Sequence, residues 1–206
     1  MGKIVLVDSM SLDGAVRAPG PDSEAPESFA HGGWSQPHRG DHPRYAPDTL
    51  AAGRGSLLGW SQHEVFVASW LTVTEPTDVT ARALSNRPDR AVSTTSHRSE
   101  RGPTSLLSAS RTGGVATLRA ASDQDVVMID SSRLAQTLID LSLVDEGRLW
   151  LRPVKGGSRK RSFPAWPDPH NLRLVDGTPT AQVFVLGSDG RPVRLETSAA
   201  TVAEGA

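Results

Sequence analysis

The stretch Asp125–Arg152, DVVMIDSSRLAQTLIDLSLVDEGRLWLR, decides the fold. Val126, Val127, Met128 and Ile129 form a short unbroken apolar run, the pattern of a strand covered on both faces. Ser131 or Ser132 then supplies a helix N-cap, and Leu134, Leu138 and Leu141 fall on one helical face. Arg148 to Arg152 alternates, so a second strand follows. Strand, helix and strand within about thirty residues make a βαβ unit with parallel strands. Its strand-to-helix turn, Asp130-Ser131-Ser132, faces any ligand that the sheet binds.

Outward from this unit, Lys3 to Asp8, KIVLVD, reads as a buried, central first strand ending in the turn signal Asp13-Gly14. Residues 18–47 form a long polar loop containing His31-Gly32-Gly33-Trp34, which suggests either a ligand cover or a Trp pinning its own loop. Asp48 to Ala52 suggests a short helix and Ser56 to Gly59 a short strand, with Val65 to Trp70 a helix or extended arm. Pro76 to Asn86 and Arg111 to Ala121 read as helices and Arg90 to Thr94 as a strand. Toward the C-terminus, Leu172 to Val175 and Gln182 to Leu186 are strands, and Ser188-Asp189-Gly190 turns into Val193 to Leu195. The expectation is a single α/β domain over 1–197 with a mixed, mostly parallel sheet, an antiparallel C-terminal hairpin, and a frayed tail at 198–206.

Composition narrows the function. The chain of 206 residues has a net charge of −1, so nucleic acid or an anionic membrane finds no electrostatic support. There are no cysteines, which excludes disulfide and thiolate chemistry and fits a cytoplasmic setting. No apolar run is long enough to span a bilayer, and no signal peptide or myristoylation pattern is present. Apolar content of 37% with 19 Gly and 15 Pro implies long loops around a modest core.

The pieces KIVLVDSMSLDG, HGGW, SLLGWSQHEVFVASW, AVSTT, SLVDEGRLWLRPVKGGSRKRSFP and LRLVDG together resemble the dihydrofolate reductase-like family typified by the RibD C-terminal domain. The resemblance runs from Lys3 to about Leu195. It implies a mixed sheet flanked by helices, pairing into a homodimer, and NADPH-dependent reduction of a small heterocycle. It assigns Gly59, Ser93, Thr94, Ser131, Ser132, Gly156, Gly157 and Arg159 to the cofactor, and His31, Trp34 and Trp60 to the substrate. The chain also departs from the family. Trp60 and Thr94 stand where family members carry arginines, and Asp130 where they carry a glycine. An ionised Asp130 about 4 Å from a phosphate would oppose it by about 4 kcal/mol at an effective dielectric of about 20, a thousandfold in affinity. Lys155, Arg159, Lys160 and Arg161 offer replacement cations, or are a solvated surface.

Asp13 is either a turn residue capping local amides or, if burial raises its pKa, a group that orients substrate or moves a proton. His63 stands where the family has a tyrosine and is either an acid–base group or a packed ring. Trp34, Trp60 and Trp70 could stack on a flat ligand or pack the protein. His31, His38, Asp41 and His42 do not make a metal set, because Pro37, Gly40 and Pro43 forbid the helix their spacing needs. No G-x-S-x-G elbow is present. Two functional readings follow: an NADPH-dependent reductase, or a relative without NADPH that uses the same cleft for acid–base chemistry or binding.

Overall fold

The computed structural model describes residues 2–17, 31–35, 37–38, 49, 53, 55–69, 89–92, 105–107, 111–120, 123–157, 160–163, 165, 172–177 and 181–185. The strands are β1 (Ile4–Ser11), β2 (Gly55–Gly59), β3 (Asp89–Val92), β4 (Ser105–Leu107), β5 (Val126–Ile129), β6 (Glu146–Arg152), β7 (Arg173–Gly177) and β8 (Ala181–Val185). The described helices are α1 (Trp60–Ser69), α2 (Arg111–Ala120) and α3 (Ser132–Asp140). Residues 65–69 thus settle as helix. The expected helix at Pro76–Asn86, the strand at Val193–Leu195 and most of the 18–47 loop lie outside the described residues, as does Trp70.

The sheet order is β4-β3-β2-β5-β1-β6-β8-β7. All pairings among β1 to β6 are parallel, whereas β8 pairs antiparallel with both β6 and β7. The βαβ unit read from the sequence is present, with β1 inserted between its two strands. That insertion explains the apolar character of β1: Ile4, Leu6, Val5 and Val7 are all buried, because each face is covered.

The two faces have separate cores. One gathers Ile4, Leu6, Leu57, Val126 and Met128 under Val115 of α2 and Leu134, Ala135 and Leu138 of α3. The other gathers Val5, Val7, Leu58 and Val127, with Ile129 and Trp150 against them. The period of two along each strand separates these sets. On α3 the stripe is narrower than expected: Leu134 and Leu138 are buried, but Leu141 is the C-cap and is 43% exposed.

The two edges of the sheet differ in chemistry. At the amino edge, Glu146 accepts Lys3 Nζ at 3.0 Å and Arg148 Nε at 2.7 Å. Burial pushes the Glu146 carboxyl up, but the hydrogen bonds and charges of Arg148 and Lys3 prevail and hold it ionised. Asp145 accepts the Ile4 N–H at 2.9 Å and anchors the same edge. The carbonyl edge carries the turns that follow β1, β2 and β5.

Candidate functional site

Strand β2 leads to β3 on one side, and β5 leads through α3 to β6 on the other. Because β2 and β5 are neighbours, the order of the sheet reverses between them, and such a crevice at the carbonyl edge is where open α/β sheets bind ligands. Helices α1 and α3 both start there, at Trp60 directly after β2 and at Ser132 two residues beyond the end of β5. The Gly59 N–H donates to Ser131 Oγ at 3.0 Å, and Ser131 Oγ donates to the Ile129 carbonyl at 2.9 Å, so this hydroxyl ties the two turns together.

Ser131 occupies the N-cap of α3, but its side chain makes no capping bond. The expected capping role is therefore corrected: its hydroxyl serves Gly59 and Ile129 instead. The first turn of α3 holds no acidic residue. Its N–H groups and the positive end of the helix dipole suit an anion. Ser131 and Ser132 are both buried.

Asp130 sits in the left-handed region at φ 47°, where the glycine of the resembling family would be unstrained. Burial and then the charge of Asp8 push its carboxyl well above the usual carboxylate range. The sequence-based repulsion of about 4 kcal/mol assumed an ionised Asp130, and it shrinks with the population of that form. Asp8 itself is 1% exposed and is raised by burial, against hydrogen bonds to Asp130 and Ser162 and the charge of Lys160. Sequence reasoning read Asp8 only as a strand end. The available signal was the repeat of one pattern, Val-Leu-Val-Asp and Val-Met-Ile-Asp, on strands that prove to be neighbours.

Asp13 lies in the turn after β1 and is a hydrogen-bond acceptor for two chain segments. Its carboxylate accepts Ser11 Oγ at 2.6 Å and the Gly156 and Gly157 N–H groups at 2.7 and 2.9 Å. Arg161 Nη1 donates to its carbonyl. The Ser11 hydroxyl, followed by the two amides, holds the carboxyl far below the usual range, so the raised pKa that proton transfer requires is not met.

The same bonds bear on the cofactor residues. The Gly156 and Gly157 amides serve Asp13, so they are not available to a phosphate. A Cβ on Gly156 would come within 2.7 Å of Ala15 Cβ, so this glycine answers a close approach of chain segments. Gly157, at φ 62°, faces open space. Lys155, Lys160 and Arg161 are exposed. Ser93, Thr94 and Arg159 lie outside the described residues.

His63 is 3% exposed on α1, with its ring 5.6 Å from that of Trp60. Burial lowers its pKa against the pull of Glu64, which favours the neutral ring. Trp60 is half-buried at the crevice, as the first residue of α1. Trp34 is fixed elsewhere: its indole N–H donates to the Arg17 carbonyl at 2.7 Å. His31 is exposed in the same turn, and His38 a little further on accepts Arg152 Nη1 at its carbonyl, at 2.7 Å. The structure thus brings Gly59, Trp60, His63, Ser131 and Ser132 to the β2/β5 side of the sheet edge, and Asp13, Gly156 and Gly157 to the β1/β6 side.

A parallel sheet in this order, with antiparallel strands at one end, defines a dihydrofolate reductase-like α/β fold of the RibD type. Solved structures share it. A protein assigned to riboflavin biosynthesis from Shewanella sp. PV-4 superposes with a TM-score of 0.62 at 14% identity, over 89% of this chain and 98% of that one. Dihydrofolate reductase from Enterococcus faecalis, complexed with NADP(H) and RAB-propyl, gives 0.52 at 11% identity over 89% and 94%. Acinetobacter baumannii RibD gives 0.51 at 14% identity, over 90% of this chain and 57% of that one. No protein-family model and no curated protein matches the sequence. Among the described residues, no helix is long and apolar enough to cross a membrane.

Proposed function

We propose that the protein is a reductase of a small heterocyclic compound, with NADPH held along the crevice between β2 and β5. The observation that carries this reading is the pair of helices, α1 and α3, that begin side by side where the strand order reverses. The first-turn N–H groups of α3, which have neither a side-chain cap nor an acidic neighbour within that turn, would hold the pyrophosphate. Gly59 and Ser131 hold the two helix starts together, and Asp130 bounds the site beside β1. Bound there, NADPH supplies a hydride. Trp60 offers a flat face for stacking a heterocycle or the nicotinamide, and His63 packs against it as a neutral ring. The likeness in fold to a reductase solved with NADP(H) supports the reading.

A second reading, acid–base chemistry or binding in the same cleft without NADPH, is favoured by one specific observation. The Gly156 and Gly157 amides, which the resemblance assigns to the cofactor, are engaged by Asp13. Oxidation of NADPH in the presence of a panel of pteridines, pyrimidines and related heterocycles distinguishes the two. Consumption of NADPH that requires one of these compounds supports the reductase. A panel compound that is bound or converted with no NADPH consumed contradicts it and favours the second reading.

A further inference from the structure

Asp8 lies within β1 and Asp130 directly follows β5, and the register Val7↔Ile129, the last pair of the two strands, sets these aspartates beside each other. The Asp130 N–H donates to the Val7 carbonyl at 3.4 Å, which keeps the second turn against the first strand. Asp8 is almost wholly buried. Its Oδ2 accepts the Ser162 hydroxyl, while its Oδ1 is shut away from solvent and meets no hydrogen-bond partner among the described residues. An acceptor buried in that state costs about 1–3 kcal/mol, and more when it is charged.

The Asp130 carboxyl lies within hydrogen-bonding reach of Asp8. A proton on Asp130 would give the Asp8 carboxyl a donor besides Ser162. Among the described residues, the charged and titratable groups acting on the pair are the two carboxyls themselves and Lys160, with the Ser162 hydroxyl on Asp8. Lys160 is the one described cation that acts on the pair and it is exposed, so among the described residues one negative charge is balanced and a second is not. One proton between the two carboxyls satisfies both the hydrogen-bond and the charge requirement.

We propose that Asp8 and Asp130 share one proton, and that this proton makes Asp130 a neutral wall of the dinucleotide site: the crevice accepts a pyrophosphate while the proton is held and repels it once the proton is lost. This rests on the dinucleotide reading above. The aspartate that looks incompatible with a phosphate in the sequence becomes a specificity device, and Asp8 is the positioning residue that keeps it neutral.

The test has two arms. Calorimetric titration of NADPH into the parent protein across the pH range in which it stays folded should show affinity falling by up to about tenfold per pH unit once the pair begins to ionise. Asp130→Asn keeps a donor for the Asp8 carboxyl without a titrating proton, and its affinity should stay flat over the same range. A parent as flat as the Asn variant overturns the proposal. Carbon-13 NMR of the aspartate side chains in the ligand-free protein forms the second arm. One carboxyl of the pair should stay protonated well above the ordinary range; two that ionise within it overturn the proposal. If the proton is held but neither protein binds NADPH at any pH, the dinucleotide reading has failed and the gating role falls with it.

Discussion

The Asp13 carboxylate accepts the backbone N–H of Gly156 at 2.7 Å, joining the turn after β1 to the loop after β6. With Ser11 and Gly157 as its other donors, Asp13 is a clamp between segments 143 residues apart. Its depressed pKa gives the linkage a definite sign. The stabilisation is complete above the unfolded carboxylate pKa and is lost as pH falls below it toward the folded value. Asp13→Ala should lower the melting temperature at neutral pH and remove part of the acid dependence of stability, as read by thermal unfolding over a pH series. A variant that melts like the parent at every pH would contradict the clamp.

The two glycines in that clamp should respond to substitution for different reasons. Gly156→Ala places a Cβ 2.7 Å from Ala15 Cβ and 2.9 Å from Ser11 Oγ, an overpacked contact of the kind that costs about 1–3 kcal/mol. Gly157→Ala meets no atom within 4 Å but must hold φ at 62°, which costs an L-residue about 1–2 kcal/mol. Urea denaturation of both variants checks these values. Adding Ala15→Gly should recover part of the stability lost in Gly156→Ala, since Ser11 still crowds the new Cβ, and none of that lost in Gly157→Ala.

Ser131→Ala removes the acceptor of the Gly59 N–H and loosens the join between β2 and β5. The expected loss is about 1–3 kcal/mol of stability. Faster hydrogen exchange should appear at Gly59, and unchanged exchange there would show that the bridge does not protect the crevice.

The Asp8–Asp130 pair predicts stability of the opposite sign to Asp13. Both carboxyls are raised in the folded state, so the native protein binds the extra proton and its stability falls as pH rises from the ordinary carboxylate range through the folded pKa. Asp130→Asn should therefore be the more stable protein on the alkaline side and should lose that slope. Chemical denaturation at several pH values measures it, and parallel curves for parent and variant would refute the assignment.

Much of this architecture is legible in short patterns. Val126–Ile129, the Leu134 and Leu138 stripe and β6 announce themselves by period and length, because burial on both faces imposes an unbroken apolar run and burial on one helical face imposes a spacing. What the pattern omits is adjacency. Nothing in KIVLVD says that β1 lies between β5 and β6, and so nothing says that Asp8 meets Asp130. The partners of Asp13 are backbone amides more than 140 residues away, and backbone donors leave no mark in side-chain identity. The Gly156-Gly157 pair, which the resemblance assigns to the cofactor, donates both of its amides to Asp13 in the fold.

The measurement that bears most directly on the central claim is isothermal titration of NADPH, with NADH as control, into the purified protein at neutral pH and at low and moderate salt. Binding in the micromolar range or tighter, stronger for NADPH than for NADH and weakened by salt, is the predicted result. No detectable heat or displacement with either dinucleotide would contradict the reductase and leave the cleft to chemistry without hydride transfer.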